Sequence, residues 1–382
     1  MTQLLRARMM IVVERAHVVV VKIGSNSLVD RQGRLDLPFL DAIAAQFAAI
    51  TKTGHRPVLV TSGAVVSGVG ILRLSERPPG LPDRQALAAI GQVNLAHRWE
   101  VALSAHGLVA AQLLLTYDDF TERERYLNLT ATLRSLFAYN AVPVINENDP
   151  VAVQELTVGD NDRLSALMAT LLGAERLILL TDIDGVYDAD PRTNPQAKRL
   201  VEIPTVTAKH VAAAGEAGAR GRGGMRSKLE SARLASGAGV ITTIALAREE
   251  RVIERIVTGE SVGTSIPGKG ERADGRRRWL AVARRVHGQL HLDAGAERAV
   301  VAQGRSLLPA GITSITGRFE RGDTVGLLSP DGEEIARGLV GLSSTELEQV
   351  CGKRLDVAAQ LLGYALPKTV VHRDNMLVLT RS

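Results

Sequence analysis

Six apolar runs in the first 260 residues constrain the fold of this chain more than any other feature. Each run ends in a turn rich in Gly, Ser or Asp, and Ala/Leu-rich stretches separate the runs. The runs are HVVVVKIG, RPVLVTSG, LVAAQLLLT, AVPVINEND, RLILLTDIDG and AGVITTIAL. Strands without polar alternation are buried on both faces, and strands that alternate with helices form parallel sheets. We therefore predict an α/β fold in which helices cover both faces of a parallel sheet.

The pattern changes after residue 265, which predicts two domains. Residues 266–278 are rich in Gly, Pro and charge and have no periodicity, so they are expected to form a linker. Beyond them, short strands are predicted at WLAVA, QLHLD, GDTVGLLS and EIARGLVGL, and a helix near AGAERAVVAQG. The predicted organisation is an α/β domain over residues 1–265 and a small β-rich domain over residues 279–382.

Cysteine usage and hydropathy bear on the location of the chain. Cys351 is the single cysteine, which excludes an internal disulfide and favours a reducing compartment. No apolar run approaches the length of a membrane span, and charges interrupt the apolar part of the N-terminus. We expect a cytoplasmic protein without a membrane partner.

Glycine-rich turns with a nearby lysine occur twice. VVVVKIGSNSL places Lys22 at the end of a predicted strand, and GARGRGGMRSKL places Lys228 near the start of a predicted helix. Backbone N–H groups in such turns bind phosphate, and a lysine adds positive charge. The alternatives are a solvated lysine at a strand end and an ordinary flexible loop. A third turn, VTSGA, contains Ser62 and could likewise bind an anion or a carboxylate through backbone donors, while an ordinary strand–helix turn is the alternative.

Acidic and amide side chains are concentrated between Val144 and Asp162, where Lys and Arg are absent. Such a group predicts either a metal site or a site for a ligand ammonium group, while a solvated acidic loop is the alternative. Mg²⁺ often needs only one or two carboxylates together with substrate phosphates. Another polar segment follows the strand RLILLT and begins at Thr181 and Asp182.

The combination of these segments favours phosphoryl transfer, which depends mostly on positioning and on neutralisation of charge. No G-x-G-x-x-G fingerprint follows a strand, which argues against hydride transfer. GTSIPGKG resembles a P-loop, but Gly270 stands where the hydroxyl residue belongs. His287 and His291 have no nearby third ligand, so a zinc site is not expected there.

The motifs KIGSNSL, VTSGA, VPVINENDPVA, VGDNDRLSAL, LLTDIDGVYDADPR and GGMRSKL resemble, in order, those of the glutamate 5-kinases within the amino acid kinase family. The C-terminal part resembles a PUA domain. The resemblance implies ATP-dependent phosphorylation of the γ-carboxylate of L-glutamate to γ-glutamyl phosphate, the first step of proline biosynthesis. It also implies Mg²⁺, feedback inhibition by L-proline, a homo-oligomer (tetramer or dimer) and functional coupling to γ-glutamyl phosphate reductase.

The resemblance also implies roles for individual residues. Lys22 and Lys228 contact the transferring phosphoryl group, and Asp162 orients both lysines. Asp149 pairs with the substrate ammonium group, and Ser62 and Asn161 also hold the substrate, the Asn161 amide donating to a carboxylate. No residue is assigned as a protein ligand of a metal. The expected nucleotide site consists of Lys22, Thr181, Asp182, Gly223, Gly224, Met225, Arg226, Ser227 and Lys228.

Two departures from the family pattern and two rival interpretations remain. Arg222 and Ser227 stand where the family usually has threonine, and Ser227 keeps the hydroxyl.

PUA domains elsewhere bind RNA, and residues 276–382 carry 15 Lys and Arg against 11 Asp and Glu. Little aromatic interleaving accompanies that charge, so no nucleic-acid partner is expected. The second rival keeps the kinase chemistry but changes the acid to aspartate or N-acetylglutamate.

Overall fold

The computed structural model describes residues 17–30, 32–152, 161–191, 193–213, 224–269, 286–362 and 369–379. The chain divides into two compact units, with the main boundary between Arg272 and Ala273. Of the predicted linker, only residues 266–269 are among those described. Each unit is described by itself below.

A seven-stranded sheet forms the centre of the larger unit, in the order β3-β4-β2-β1-β5-β8-β9. All six predicted strands are present and pair in parallel. β9 pairs antiparallel with β8 and was not predicted. A separate antiparallel ribbon joins β6 and β7. The strands are β1 His17–Ile23, β2 His55–Thr61, β3 Val109–Leu115, β4 Ala141–Glu147, β5 Arg176–Thr181, β6 Val186–Tyr187, β7 Arg199–Leu200, β8 Ile241–Leu246 and β9 Thr264–Ile266.

Helices connect these strands and cover the sheet. One core cluster joins the sheet to side chains of α1, α3 and α9, including Phe47 and Trp99, which are fully buried. α6 packs on β1 and on α8, and α8 packs on β8. The helices described before the main boundary are α1 Leu37–Lys52, α2 Ala64–Leu72, α3 Leu81–Ala105, α4 Asp118–Thr121, α5 Arg123–Ala138, α6 Asn161–Leu172, α7 Ala208–Ala213, α8 Met225–Gly237 and α9 Val252–Val257.

The smaller unit contains a five-stranded sheet in the order β11-β10-β12-β13-β14. Its strands are β10 Gly288–Leu292, β11 Ile312–Gly317, β12 Thr324–Leu328, β13 Glu334–Val340 and β14 Val371–Val378, and its helices are α10 Ala294–Val301, α11 Ser344–Val350 and α12 Leu355–Leu362. A core that includes Leu290, Phe319 and Leu327 joins them. The predicted strand WLAVA lies outside the described residues.

Candidate active site

The carboxyl ends of β1, β2, β4 and β5 meet at one edge of the larger sheet, as the parallel arrangement predicts. A cleft opens there, and residues after all four strands contribute to its walls. The predicted side chains that line it together are Lys22, Ser62, Asp149, Asn161, Thr181, Asp182 and Lys228. The structure therefore brings segments as far apart in sequence as Lys22 and Lys228 into one site.

A carboxylate between two lysines forms one wall of the cleft. Asp162 Oδ1 lies 2.5 Å from Lys22 Nζ, and Asp162 Oδ2 lies 3.1 Å from Lys228 Nζ. Asp162 is fully buried, and the two lysines are 4% and 6% exposed. Buried charges persist only when they are paired and hydrogen-bonded, so one anion holds two cations in fixed positions. The three side chains together carry a net positive charge toward the cleft.

Amide side chains form a second wall. Asn161 Nδ2 lies within hydrogen-bonding distance of the Thr61 carbonyl (3.0 Å), Ser62 Oγ (2.7 Å) and Asn146 Oδ1 (3.1 Å). Asn146 in turn donates to Gln92 Oε1 at 2.8 Å. The sequence-based hypothesis had the Asn161 amide donating to a carboxylate. In the structure its donor group is engaged by the protein, and its buried Oδ1 accepts no hydrogen bond from any residue that the structure describes. The role of Asn161 toward a substrate stays a prediction.

The turn between β2 and α2 supplies backbone donors. Gly63 has φ 102°, a left-handed conformation that glycine adopts without strain, and α2 begins at the next residue, as predicted. Gly63, Ala64, Val65 and Val66 all line the cleft. The unpaired N–H groups of a helix N-terminus favour an anion, so this corner suits a carboxylate.

The end of β4 carries two acids in a partly desolvated position. Burial, and then the charge of Asp149, raises the pKa of Glu147 to about 7. Burial also raises the pKa of Asp149, and the nearby Arg77 guanidinium opposes that shift. Glu147, Arg77 and Asn146 line the cleft but are absent from the predicted site. Glu147 and Asn146 lie in NEND, part of the motif VPVINENDPVA, so the sequence could have indicated that they belong to the site. No sequence motif contains Arg77.

Only part of the predicted nucleotide set lines the cleft. The members that do so are Lys22, Thr181, Asp182 and Lys228, whereas the described Gly224, Met225, Arg226 and Ser227 are not among the lining residues. Thr181 is buried at the end of β5, and its hydroxyl donates to Asp182 Oδ1 at 3.0 Å. Arg226 is exposed and pairs with Glu230 at 3.1 Å. Of the same set, Gly224, Met225, Ser227 and Lys228 are described, while Gly223 and the neighbouring Arg222 lie outside the described residues.

α8 begins at Met225, three residues before the predicted start near Lys228. Gly224 is extended and precedes the helix, and its carbonyl accepts the Lys228 N–H at 3.4 Å. The lysine therefore lies at the end of the first turn rather than at the helix start. Its side chain reaches back to Asp162, while the free N–H groups belong to the residues before it.

Comparison with known proteins identifies the family. Residues 17–245 match the model of the amino acid kinase family, and residues 288–359 match that of the PUA domain. The chain is 43% identical to the glutamate 5-kinase of Caldanaerobacter subterraneus subsp. tengcongensis over 95% of this chain and 98% of the relative. The chain belongs to the glutamate 5-kinase family.

Further members of the glutamate 5-kinase family agree over almost the whole chain. The protein of that name from Geobacter sp. (strain M21) is 44% identical over 94% of this chain and 97% of the relative. The one from Deinococcus radiodurans is 45% identical over 94% of this chain and 99% of the relative. The family resemblance and the fold class expected from the sequence are thus confirmed, while the roles of single residues stay predictions. None of the helices in the described ranges is long and apolar enough to cross a membrane.

Proposed function

We propose that the chain transfers the γ-phosphoryl group of ATP to the γ-carboxylate of L-glutamate, giving γ-glutamyl phosphate and ADP in the first step of proline biosynthesis. The buried Lys22–Asp162–Lys228 group supports this most directly, because it holds two ammonium groups at the edge where the strand ends meet. Membership of the glutamate 5-kinase family supports the identity of the acid.

The chemistry needs little from the protein beyond positioning and charge. A γ-carboxylate with an ordinary pKa near 4.3 is ionised at neutral pH, so no general base has to remove a proton from it. One carboxylate oxygen forms the new bond to the γ-phosphorus of ATP. The bond from that phosphorus to the bridging oxygen breaks, and its electron pair stays on ADP. Lys22 and Lys228 then stabilise the charge on the transferring group, and Asp162 holds both lysines in place.

Substrate binding uses the other end of the cleft. The carboxylate of Asp149 accepts hydrogen bonds from the substrate ammonium group, and the turn at Ser62 and Gly63 presents donors to a substrate carboxylate. Asn161 contributes the acceptor Oδ1 rather than a donor, because its amide N–H groups are already engaged. The two anionic reactants therefore meet between the lysines and the start of α2.

ATP brings Mg²⁺ to the reaction in this proposal. No group of three or more His, Cys, Asp or Glu side chains among the described residues could hold a metal ion. Asp182 lines the cleft and would be the one carboxylate that contacts the ion. Phosphate oxygens would supply most of the other contacts to Mg²⁺. When bound, Mg²⁺ neutralises phosphate charge.

The finer features implied by the family are part of the same proposal. L-proline acts as a feedback inhibitor, the chain forms a homo-oligomer of four or two copies, and the enzyme works in the cytoplasm. Coupling to γ-glutamyl phosphate reductase follows from the chemistry, because an acyl phosphate is a reactive product that a neighbouring enzyme should consume quickly.

A coupled assay of ADP release tests the proposed activity. The purified full chain is given ATP and Mg²⁺ with L-glutamate, L-aspartate or N-acetyl-L-glutamate. L-Glutamate should have the highest kcat/KM. N-acetylglutamate should be poor, because it carries no ammonium group for Asp149, and aspartate should be poor because it is one methylene shorter. A preference for either of the other acids would overturn the assignment of the substrate.

A further inference from the structure

Arg77 is a cation in the cleft that the proposed mechanism does not use. It lies in the loop between α2 and α3 and lines the cleft together with Asp149. Its side chain is exposed, and it makes no hydrogen bond or ion pair with the residues that the structure describes. Arg77 therefore lines the same cleft as Asp149, and its guanidinium donors are engaged by none of the residues in the described ranges.

The helix pair that carries Arg77 is tightly packed. A Cβ at Gly91 would lie 1.9 Å from the Ala64 carbonyl oxygen, and one at Gly68 would lie 2.1 Å from that of Leu87, so only glycine permits this approach. Asn94 Nδ2 also donates across the pair to Ser67 Oγ at 2.8 Å. The start of α2, which lines the cleft, and the loop that follows α2 are thus parts of one compact hairpin.

A side chain at the start of α3 ties this hairpin to the segment that carries Asp149. Gln85 Nε2 donates to the carbonyls of Asp149 and Ala152, at 3.1 and 3.2 Å. The two segments that present Arg77 and Asp149 are therefore attached to each other. Partial burial, and then the charge of Arg84, lowers the pKa of Arg77, and Asp149 opposes that shift. Burial raises the pKa of Asp149, and Arg77 opposes that shift in turn, so the two charges interact.

We propose that Arg77 binds the α-carboxylate of the substrate while Asp149 accepts its ammonium group, which makes Arg77 a specificity-determining residue for α-amino acids. The inference rests on the proposed function. An α-amino acid carries opposite charges on adjacent groups, and a guanidinium beside a carboxylate is the complementary arrangement. Arginine also matches a carboxylate with two parallel N–H donors, which a lysine cannot do.

The test compares L-glutamate with 4-aminobutyrate, which lacks only the α-carboxylate. The KM for glutamate and the Ki of 4-aminobutyrate as a competitor are measured for the parent, Arg77→Met, Arg77→Lys and the control Arg73→Met. Arg73 lies in the same loop but does not line the cleft. Thermal melting of each variant reports whether it folds like the parent.

Arg77→Met should raise the glutamate KM by about 10- to 100-fold, as expected for a lost charge-assisted hydrogen bond. The 4-aminobutyrate Ki, the ATP KM and kcat should hardly change, Arg77→Lys should lie between the parent and Arg77→Met, and Arg73→Met should resemble the parent. A glutamate KM within twofold of the parent in Arg77→Met, or equal losses for both ligands, would overturn the proposal. A parent that does not phosphorylate glutamate would instead sink the proposed function.

Discussion

Lys22 Nζ lies 2.5 Å from Asp162 Oδ1 although both side chains are almost completely removed from solvent. Each charge loses hydration in this position, and the pair is stable because Asp162 also contacts Lys228. Two cations share one anion, so the group depends on Asp162 more than on either lysine. The same group has to stay charged to stabilise a phosphoryl group.

Asp162→Asn should therefore lower both stability and activity. The amide keeps the size of the carboxylate but leaves two buried ammonium groups side by side without an anion. Removing one member of a buried ion pair typically costs about 3–5 kcal/mol, and kcat should fall because the lysines are no longer held in place. Urea unfolding and steady-state kinetics measure the two effects, with Asp331→Asn at an exposed turn as the control. Unchanged stability and kcat would contradict the role of Asp162.

Each lysine should act on the transferring group rather than on the binding of glutamate. Lys22→Ala and Lys228→Ala should each lower kcat by about 100- to 1000-fold, the usual effect of losing a donor to developing charge. The glutamate KM should rise far less. Initial-rate kinetics over both substrates separate these effects, and Lys198→Ala at an exposed position is the matched control. Near-normal kcat in either variant would remove that lysine from the mechanism.

Asp149→Asn tests the pairing with the substrate ammonium group. The change removes the charge but keeps the size and one acceptor oxygen. A charge-assisted hydrogen bond is worth roughly 1.5–3 kcal/mol, so the glutamate KM should rise by about 10- to 150-fold while the ATP KM hardly moves. Glutarate, which lacks the amine, should be a poor substrate of the parent and should lose little more in the variant.

The value of kcat/KM is measured for the parent and Asp149→Asn with both glutamate and glutarate, and the four values form a double-mutant-style cycle. If glutamate and glutarate lose equally in Asp149→Asn, the residue does not recognise the amine. Asp149 would then have a structural role, or one connected with a metal. Together with the Arg77 variants, the cycle measures the two halves of α-amino acid recognition separately.

Much of the fold could be predicted because a strand that is buried on both faces has a continuous apolar sequence. The six parallel strands are almost entirely apolar, and each was predicted. The strands that were missed lie at sheet edges. β9 has only three residues, and β11 and β14 carry several exposed side chains and few buried ones, since an edge strand needs less apolar surface.

The candidate site could be predicted where its residues follow strands. Asp182 directly follows β5 and Lys22 lies near the end of β1, and both were predicted in this way. Arg77 was not, because it lies between two helices and enters the cleft only through the packing of the α2–α3 hairpin. The sequence also could not show which groups the Asn161 amide contacts within the protein, because its hydrogen-bond partners come from the distant strands β2 and β4.

Arg248 should position the loop that follows β1. Its guanidinium donates to Asp36 Oδ2 at 2.6 Å and to the carbonyls of Ser27 and Val29 at 3.2 and 3.3 Å, and it stacks on Phe39 at 4.5 Å. Ser27 and Val29 line the cleft. Arg248→Met should therefore lower the unfolding free energy by about 1–2 kcal/mol, the value of a few partly exposed polar contacts. It should also reduce kcat/KM.

Arg248→Lys and Arg251→Met make this test specific. Lysine can keep the ion pair with Asp36 but not all the carbonyl contacts, so its effect should be intermediate. Arg251 pairs with Glu254 at the surface, and its replacement should leave kcat/KM unchanged. Equal kinetics for the parent and Arg248→Met would show that the loop does not depend on this arginine. Melting temperatures and steady-state rates provide the comparison.

Glu147 should make the stability of the ligand-free protein depend on pH. Its folded-state pKa of about 7 lies above its ordinary value of 4.5. Between these values the unfolded chain releases a proton that the folded protein keeps, so the stabilising contribution is complete below about pH 4.5 and is lost as pH rises through 7.

Glu147→Gln carries no such proton. The unfolding free energy of Glu147→Gln relative to that of the parent should therefore rise by about 2–3 kcal/mol from pH 5 to pH 8, because one pKa unit corresponds to 1.36 kcal/mol. Urea unfolding at both pH values measures the gain, and Glu124→Gln, at an exposed helical position, should show almost none. A gain of the same small size in both variants would mean that the Glu147 carboxylate is ionised at neutral pH despite its burial.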